Sequence, residues 1–258
     1  MNTNSSILTW TEAKLRESRK IALRYFGSAL KVRLKPDRSP VTLADHKIEE
    51  YLRHEITRMF PKDGILGEEF GFTRPNAESY WVIDPIDGTR AFSRGLPSWG
   101  ILAARVEKKK PVVGACDLPA LGTFIGGAQG ARAYERTGKT KCNFPIPSSI
   151  KSIKNAVIFH GGSSFFSRSK YKKPFEKILS DCYLERAYGD CYAYLWVLRG
   201  HADIMIDFGV KEWDLAPFAV LAENTNRVMV NFEGKRDFKG PDSIFGNPRI
   251  AKLLISKF

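Results

Sequence analysis

The sequence predicts an α+β fold, and three features of the chain point to it. Two helical patterns with one apolar face occupy roughly the first 60 residues. Segments typical of β-strands follow, and beyond a glycine-rich passage strands and helices alternate. The chain has 258 residues, 43% of them hydrophobic, enough to bury about three quarters of its unfolded surface. This composition excludes a collagenous or wholly disordered protein.

The elements of the first half follow from local patterns. A first helix is expected over residues 9–29, where apolar side chains recur at spacings of three and four. Pro36 and Pro40 then interrupt the chain, and a second helix is expected to open at Thr42 and to stop at Pro61. Strands are predicted over residues 65–67, 80–83, 99–107 and 111–117.

A glycine-rich passage over residues 126–139, with a connector to Ile150, is the predicted domain boundary. It divides the chain into an N-terminal α+β half, residues 1–138, and a C-terminal α/β half, residues 139–258. In the second half we expect strands over residues 156–159, 187–188 and 202–206, and helices over residues 173–183, 190–199 and 213–222.

Charge and cysteine usage narrow the class of protein. The 41 basic and 28 acidic residues give a net charge of +13, which favours an anionic substrate or partner. No apolar run approaches the roughly 18 residues of a membrane span, and the N-terminus lacks a signal-peptide pattern. The cysteines form no C-x-x-C pair, so we expect reduced thiols in the cytoplasm at Cys116, Cys142, Cys182 and Cys191.

The residues with the clearest chemistry are acidic. Glu68 and Glu69 follow a predicted strand, Asp84 and Asp87 end another, and Asp214 stands at a helix start. Carboxylates that converge in this way repel one another unless a cation lies among them. Hard oxygen ligands, without a paired His or Cys set, favour Mg²⁺ or Mn²⁺ over zinc.

A phosphate site is predicted directly after these aspartates. Gly88 lets backbone N–H groups approach an anion, and a helix that starts after it adds partial positive charge. The hydroxyl of Thr89 could orient a water. By itself, an Asp-x-x-Asp-Gly segment is more typical of a solvated turn.

Four motifs together carry a family resemblance. WVIDPIDGTRAF (81–92), GEEFG (67–71) and EWDLAP (212–217), with KPDRSPVTLAD (35–45) ahead of them, resemble the inositol monophosphatase family of metal-dependent phosphatases. The resemblance runs from about residue 9 to residue 247. Within the family, SPVT-x-AD, LP-x-WG (96–100) and GDCYAY…GHADIMID (189–207) most resemble histidinol-phosphate phosphatases.

The resemblance implies both a fold and a reaction. The fold is a layered α/β/α/β/α sandwich of the sugar-phosphatase type, with the site in the cleft between the halves. The reaction is magnesium-dependent hydrolysis of a small phosphomonoester, histidinol phosphate in histidine biosynthesis, by direct attack of metal-activated water. A homodimer is implied as well. An inositol or sugar monophosphatase and a bisphosphate phosphatase remain the alternatives.

The resemblance also assigns roles within the site. It implies that Glu68, Asp84 and the carbonyl of Ile86 hold one Mg²⁺ and that Asp84, Asp87 and Asp214 hold a second. A third Mg²⁺ in the site, or Mn²⁺ in place of Mg²⁺, is also compatible with the resemblance. Glu68 and Thr89 would activate the water with support from Asp45. The phosphate would be bound by Asp87, Gly88 and Thr89.

Substrate recognition is assigned to two further aspartates. Asp207 falls at the family position that meets the alcohol part of the substrate, and Asp190 lies in the same region. Both would match a cationic imidazole and amine, but either could instead cap a helix or lie in a surface loop. The sequence departs from the family pattern near the substrate-recognition region, where the segment Glu223-Asn-Thr-Asn226 replaces the family's Gly-Gly turn. Arg90 also leaves room for a more anionic substrate.

Two other classes were weighed. A haloacid dehalogenase phosphatase uses an Asp-x-Asp pattern, whereas residue 86 is not an aspartate. Asp84 and Asp87 are separated by two residues, so they are not expected to face the same way from a strand. A nucleic-acid-binding module would explain the net charge and the basic stretches over residues 107–111 and 168–177. No RRM, KH or zinc-finger pattern accompanies them, so nucleic acid is not the expected partner.

Overall fold

The computed structural model describes residues 3–27, 33–34 and 40–258. In this part of the chain eight α-helices are present. In chain order they are α1 Asn4–Tyr25, α2 Leu43–Met59, α3 Thr89–Ser93, α4 Ser163–Ser167, α5 Lys172–Asp181, α6 Asp190–Leu198, α7 Glu212–Asn224 and α8 Pro248–Ile255. No helix among the described residues is both long and apolar enough to cross a membrane.

The strands form a large sheet, a small sheet and a two-stranded ribbon. In chain order they are β1 Arg33–Leu34, β2 Pro40–Val41, β3 Gly64–Gly67, β4 Gly71–Thr73, β5 Ser79–Asp87, β6 Gly100–Glu107, β7 Lys110–Leu118, β8 Thr123–Ala128, β9 Ala131–Thr137, β10 Thr140–Asn143, β11 Val157–His160, β12 Leu184–Arg186, β13 Ile204–Phe208, β14 Val228–Val230 and β15 Asp242–Gly246. The eight-stranded sheet has the order β10-β9-β8-β7-β6-β5-β3-β4, and the five-stranded sheet β12-β11-β13-β15-β14.

Five layers result, and this architecture confirms the predicted α/β/α/β/α sandwich. Helices α1 and α2 cover one face of the large sheet, α6 and α7 lie between the sheets, and α5 and α8 cover the outer face of the small sheet. Strand β13 shows how the sequence specifies this. Ile204 and Ile206 pack into the outer core while Met205 packs into the inner one, as the two-residue period of a strand requires.

Helix α7 crosses the large sheet at a close contact. A Cβ atom built on Gly114 of β7 would lie 2.1 Å from the carbonyl oxygen of Pro217 in α7. Any side chain at residue 114 would therefore push the helix off the sheet. The contact matters for function because Asp214 stands in the first turn of α7.

The two N-terminal helices are confirmed with one shift. Helix α1 starts earlier than predicted because the Thr3 side chain caps it, accepting a hydrogen bond from the Ser6 amide at 3.2 Å. The predicted end near Ala29 and the break at Pro36 lie outside the described residues. Helix α2 opens after Thr42 and closes at Met59, as expected.

Three differences from the sequence-based expectations concern strands. The predicted strand at residues 187–188 is wrong, because the strand in this region is β12, at Leu184–Arg186, which pairs in parallel with β11. The glycine-rich passage forms β8 and β9 instead of a linker, and β10 pairs with β9 past residue 138. The division into halves 1–138 and 139–258 stays a prediction. Strands β14 and β15 had no strong alternating signal.

Candidate active site

A β-bulge in β5 brings Asp84 and Asp87 to one face. Asp84 pairs with Leu102 and Asp87 with Gly100, so three steps along β5 match two steps along β6. A regular strand would turn these aspartates to opposite faces, and the extra residue reverses that parity. The Ile86 amide donates to Asp84 Oδ1 at 2.9 Å and fixes the bulge. The expectation that both could not face the same way is therefore wrong.

Asp214 completes an acidic cluster from the opposite side. Its Oδ2 accepts a hydrogen bond from the Lys211 amide at 2.7 Å, which holds the carboxylate in the first turn of α7. One carboxylate oxygen from each of Asp84, Asp87 and Asp214 lies within 4.8 Å of the others. Residues from two distant segments thus meet at a distance suited to a shared cation.

The electrostatics of the cluster are unfavourable without a cation. Burial raises the pKa of Asp84 well above its ordinary value, and the charges of Glu68, Asp87 and Asp214 raise it further. Burial likewise raises the pKa of Asp87 and that of Asp214, the latter to about 7. A divalent cation would remove this repulsion and restore the charged forms.

Glu68, Asp45 and Thr89 line the adjacent side. Asp45 is fully buried at the start of α2, where its Oδ2 accepts the Thr42 amide at 2.8 Å. The Thr89 hydroxyl donates to the carbonyl oxygen of Ile86 at 2.9 Å and lies 3.4 Å from Asp45 Oδ1. The charge of Glu68 acts on both Asp45 and Asp84. The predicted residues are therefore neighbours in space.

Gly88 stands between this cluster and α6. Its φ of +85° is a left-handed conformation that glycine adopts without strain. A Cβ there would lie 2.9 Å from the Ser98 carbonyl oxygen and 3.0 Å from Asp190 Oδ2. Both conformation and space therefore require glycine at the point where α3 begins.

Helix α6 is anchored to the cluster by its first turn. The Cys191 amide donates to Asp87 Oδ2 at 2.5 Å, which connects the large sheet to the helix between the sheets. Sequence reasoning missed this contact, since only the fold brings residues 87 and 191 together. The four cysteines are free.

Asp190 and Asp207 lie on the side of the site away from α2. Burial is the main cause that raises the pKa of both, for Asp190 to about 6, and Arg90 lowers that of Asp190. Asp207 Oδ1 accepts the Phe208 amide at 3.0 Å, and a Cβ on Gly161 would meet the same oxygen at 2.3 Å. Asp207 is buried in β13, whereas Asp190 is the first residue of α6 and is exposed to solvent.

Glu49 is a further residue that sequence reasoning missed. It is fully buried in α2, where its carboxylate accepts the amides of Glu69 and Phe70 at 2.8 and 3.1 Å. These bonds shape the turn that carries Glu68. Glu69 itself points to His46, at 3.9 Å. The available signal was the spacing of Asp45 and Glu49, which places two acids on one face of a helix.

Comparisons with known proteins agree with this geometry. Residues 4–258 match the sequence profile of the inositol monophosphatase family. The chain is 31% identical over 235 residues to a histidinol-phosphatase of Mycobacterium tuberculosis, with 91% of this chain and 90% of that protein covered.

Solved structures share the fold. An inositol monophosphatase from Zymomonas mobilis superposes with a TM-score of 0.86 at 27% identity, covering 100% of this chain and 99% of that one. An inositol monophosphatase/NADP phosphatase solved with Mg²⁺ and phosphate has a TM-score of 0.86 at 20% identity, covering 99% and 96%. The chain therefore belongs to the inositol monophosphatase family of metal-dependent phosphatases.

Proposed function

We propose that this phosphatase hydrolyses a phosphomonoester whose alcohol is cationic, with L-histidinol phosphate as the first candidate. The observation that carries the proposal is Asp207, a buried carboxylate that forms no ion pair within the described part of the chain. Asp190 beside it is partly balanced by Arg90. An uncompensated buried charge is costly, and a substrate ammonium or imidazolium group would offset it. The identity to a histidinol-phosphatase supports the same substrate.

The acidic cluster fits Mg²⁺. Its donors are carboxylate oxygens with one neighbouring carbonyl, the ligand set that magnesium prefers. Glu68, Asp84 and the Ile86 carbonyl would hold one ion, and Asp84, Asp87 and Asp214 another. Bound there, Mg²⁺ would lower the pKa of a water and offset the charge of the phosphate.

The chain's own residues would orient the reaction. The Thr89 hydroxyl donates its hydrogen bond to the Ile86 carbonyl. The lone pairs of the hydroxyl oxygen can therefore accept a hydrogen bond from the attacking water. Glu68 is the neighbouring carboxylate that can take the proton. The Gly88 and Thr89 amides, at the start of α3, would hold the phosphoryl oxygens. Asp45, held by Thr42, supports the position of Thr89.

A phosphate-release screen tests the proposal. The substrates are histidinol phosphate, inositol monophosphate, fructose bisphosphate and adenosine bisphosphate, each with Mg²⁺. We expect the highest kcat/KM for histidinol phosphate. A higher value for any neutral sugar phosphate would overturn the assignment, and no turnover in chelator is the expected control.

A sugar monophosphatase is the second candidate. It is favoured by the likeness to the Zymomonas mobilis inositol monophosphatase. Arg90, an exposed residue two positions after Gly88, would instead suit the additional negative charge of a bisphosphate. The same screen separates these candidates. The cytoplasmic location and the homodimer stay predictions.

Replacing Asp207 by asparagine should discriminate between substrates. Loss of a charge-assisted hydrogen bond is expected to reduce kcat/KM for histidinol phosphate by about 10- to 100-fold, with a much smaller effect on inositol monophosphate. Steady-state kinetics on both substrates measure the ratio. Equal losses would show that Asp207 does not contact the alcohol.

The stability of the metal-free protein should fall as pH rises. The folded-state pKa of Asp214, about 7, lies above the ordinary value near 4, so its protonation stabilises the fold fully below about pH 4 and this contribution is lost towards pH 7. In EDTA we expect Asp214→Asn to become more stable than the wild type between pH 5 and pH 8, by thermal unfolding. A constant difference across that range would contradict the prediction.

A further inference from the structure

A second cavity lies far from the acidic cluster. It has a volume of ≈ 440 Å³ and opens between the β6–β7 turn, the last turn of α7 and the loop before β15. Asp214 and Glu223 mark the two ends of α7, nine residues and about 14 Å apart along the axis. The cavity therefore belongs to a different part of the molecule, and its volume is in the range that small ligands occupy.

The lining of this cavity is positively charged. Its cations are Lys109, Lys110, Arg227 and Arg236, against the acids Glu223 and Asp237. Arg236 pairs with Glu223 at 2.9 Å, and both are well exposed. Lys109, Lys110 and Arg227 form no ion pair within the described ranges. At least two positive charges thus remain uncompensated around the cavity.

Arg227 is a built feature of this wall. It is 5% exposed and donates only to main-chain carbonyls, those of Pro145, Thr225, Val197 and Leu198. Burial lowers its pKa to about 10, so it stays charged at neutral pH. Its Nη hydrogens are all used by these carbonyls, so Arg227 contributes positive potential to the cavity and no hydrogen bond to a ligand.

The lysine turn adds a second unusual feature. Lys108 and Lys109 have φ values of +48° and +64°, the conformation of a two-residue hairpin turn that normally carries Asn-Gly. Strained residues of this kind persist where the surroundings or a function require them. Here the turn places Lys109 and Lys110 at the cavity.

Apart from Gln129, the rest of the lining is apolar. Phe238, Met229, Val228 and Ala219 supply its surface, and Phe238 also packs against the inner core. An aromatic ring beside fixed cations suits a ligand with a flat apolar body and an anionic group. A simple inorganic anion would leave the apolar part unused.

We propose that this cavity is a binding site for a small organic phosphate with a planar apolar body, separate from the catalytic site. The site would hold the phosphate between Lys109 and Lys110, with Arg227 adding positive charge but no direct contact, and the planar body against Phe238. The proposal rests on the lining of the cavity and does not depend on which phosphomonoester the enzyme hydrolyses.

The test is titration calorimetry with 1-naphthyl phosphate in EDTA. Without metal, the carboxylates of the catalytic site repel a dianion, so binding there is suppressed. We expect one saturable site on the wild-type protein and affinity for inorganic phosphate lower by about tenfold or more, because it buries no apolar area.

Two double variants with the same charge change make the test specific. Lys109→Glu/Lys110→Glu should weaken naphthyl phosphate by about tenfold or more. Lys172→Glu/Lys173→Glu, on exposed residues of α5, should leave the affinity for naphthyl phosphate unchanged. Equal losses in both variants, or no saturable binding to the wild type, would overturn the proposal. Phe238→Ala should weaken the binding of naphthyl phosphate but not that of inorganic phosphate. An equal effect on both ligands would show that the planar body does not contact Phe238, against the proposal.

Discussion

Asp84→Asn is expected to reduce kcat by about a thousandfold or more while leaving the protein folded. Asp84 is the proposed ligand common to both ions, and loss of even an outer hydrogen-bond partner of a metal ligand costs about 10- to 100-fold. The neighbouring charges of Glu68, Asp87 and Asp214 then face one another with one ligand fewer for the cation. Steady-state phosphate release at saturating Mg²⁺ measures the effect.

The same variant should be more stable than the wild type when metal is absent. Because burial and neighbouring charges raise the pKa of Asp84, its ionisation at pH 8 opposes folding, and the neutral amide removes that cost. Asp181→Asn, at a partly exposed carboxylate paired with Lys177, is the control and should keep full activity. An Asp84→Asn protein that turns over at the wild-type rate, or a wild type fully active in chelator, would refute the metal assignment.

Thr89→Ala is expected to lower kcat by about a hundredfold, the scale of a positioned proton-transfer group. The hydroxyl is fixed by its bond to the Ile86 carbonyl and lies 3.4 Å from Asp45, so its removal frees the attacking water without disturbing the carboxylate cluster. Thr89→Ser should restore most of the rate, since it keeps the hydroxyl. A loss confined to KM would contradict this role.

Direct attack by water also predicts the stereochemistry. The carboxylates are proposed as ligands and Thr89 as a water-positioning group, so the site offers no free nucleophile for a phosphoenzyme. A single displacement inverts the phosphorus centre, and hydrolysis of a chiral phosphate ester measures this outcome. Retention of configuration, or a trapped phosphoprotein, would require a covalent step in place of the proposed one.

Local signals in the sequence predicted several features correctly. Thr42 and Asp45 indicated the start of α2, and both take part in its cap. In the segment that replaces the family's Gly-Gly turn, Asn226 has a φ of +56°, and the Arg227 amide donates to the Ala222 carbonyl at 2.9 Å, so an asparagine ends α7 where glycine is usual. Each depends on neighbours within a few residues.

The sequence by itself therefore determined the two helices that begin the fold, and it indicated the proposed site residues, namely the acids and the glycine at residue 88. The tertiary structure alone decided how they meet. The bulge in β5 brings Asp84 and Asp87 to the same face of the strand. The Cys191 amide binds Asp87 from the next layer, and Glu49 fixes the turn that carries Glu68. The physical reason is that helix caps arise from bonds between near neighbours, whereas strand register and layer contacts depend on the packing of segments far apart in the chain.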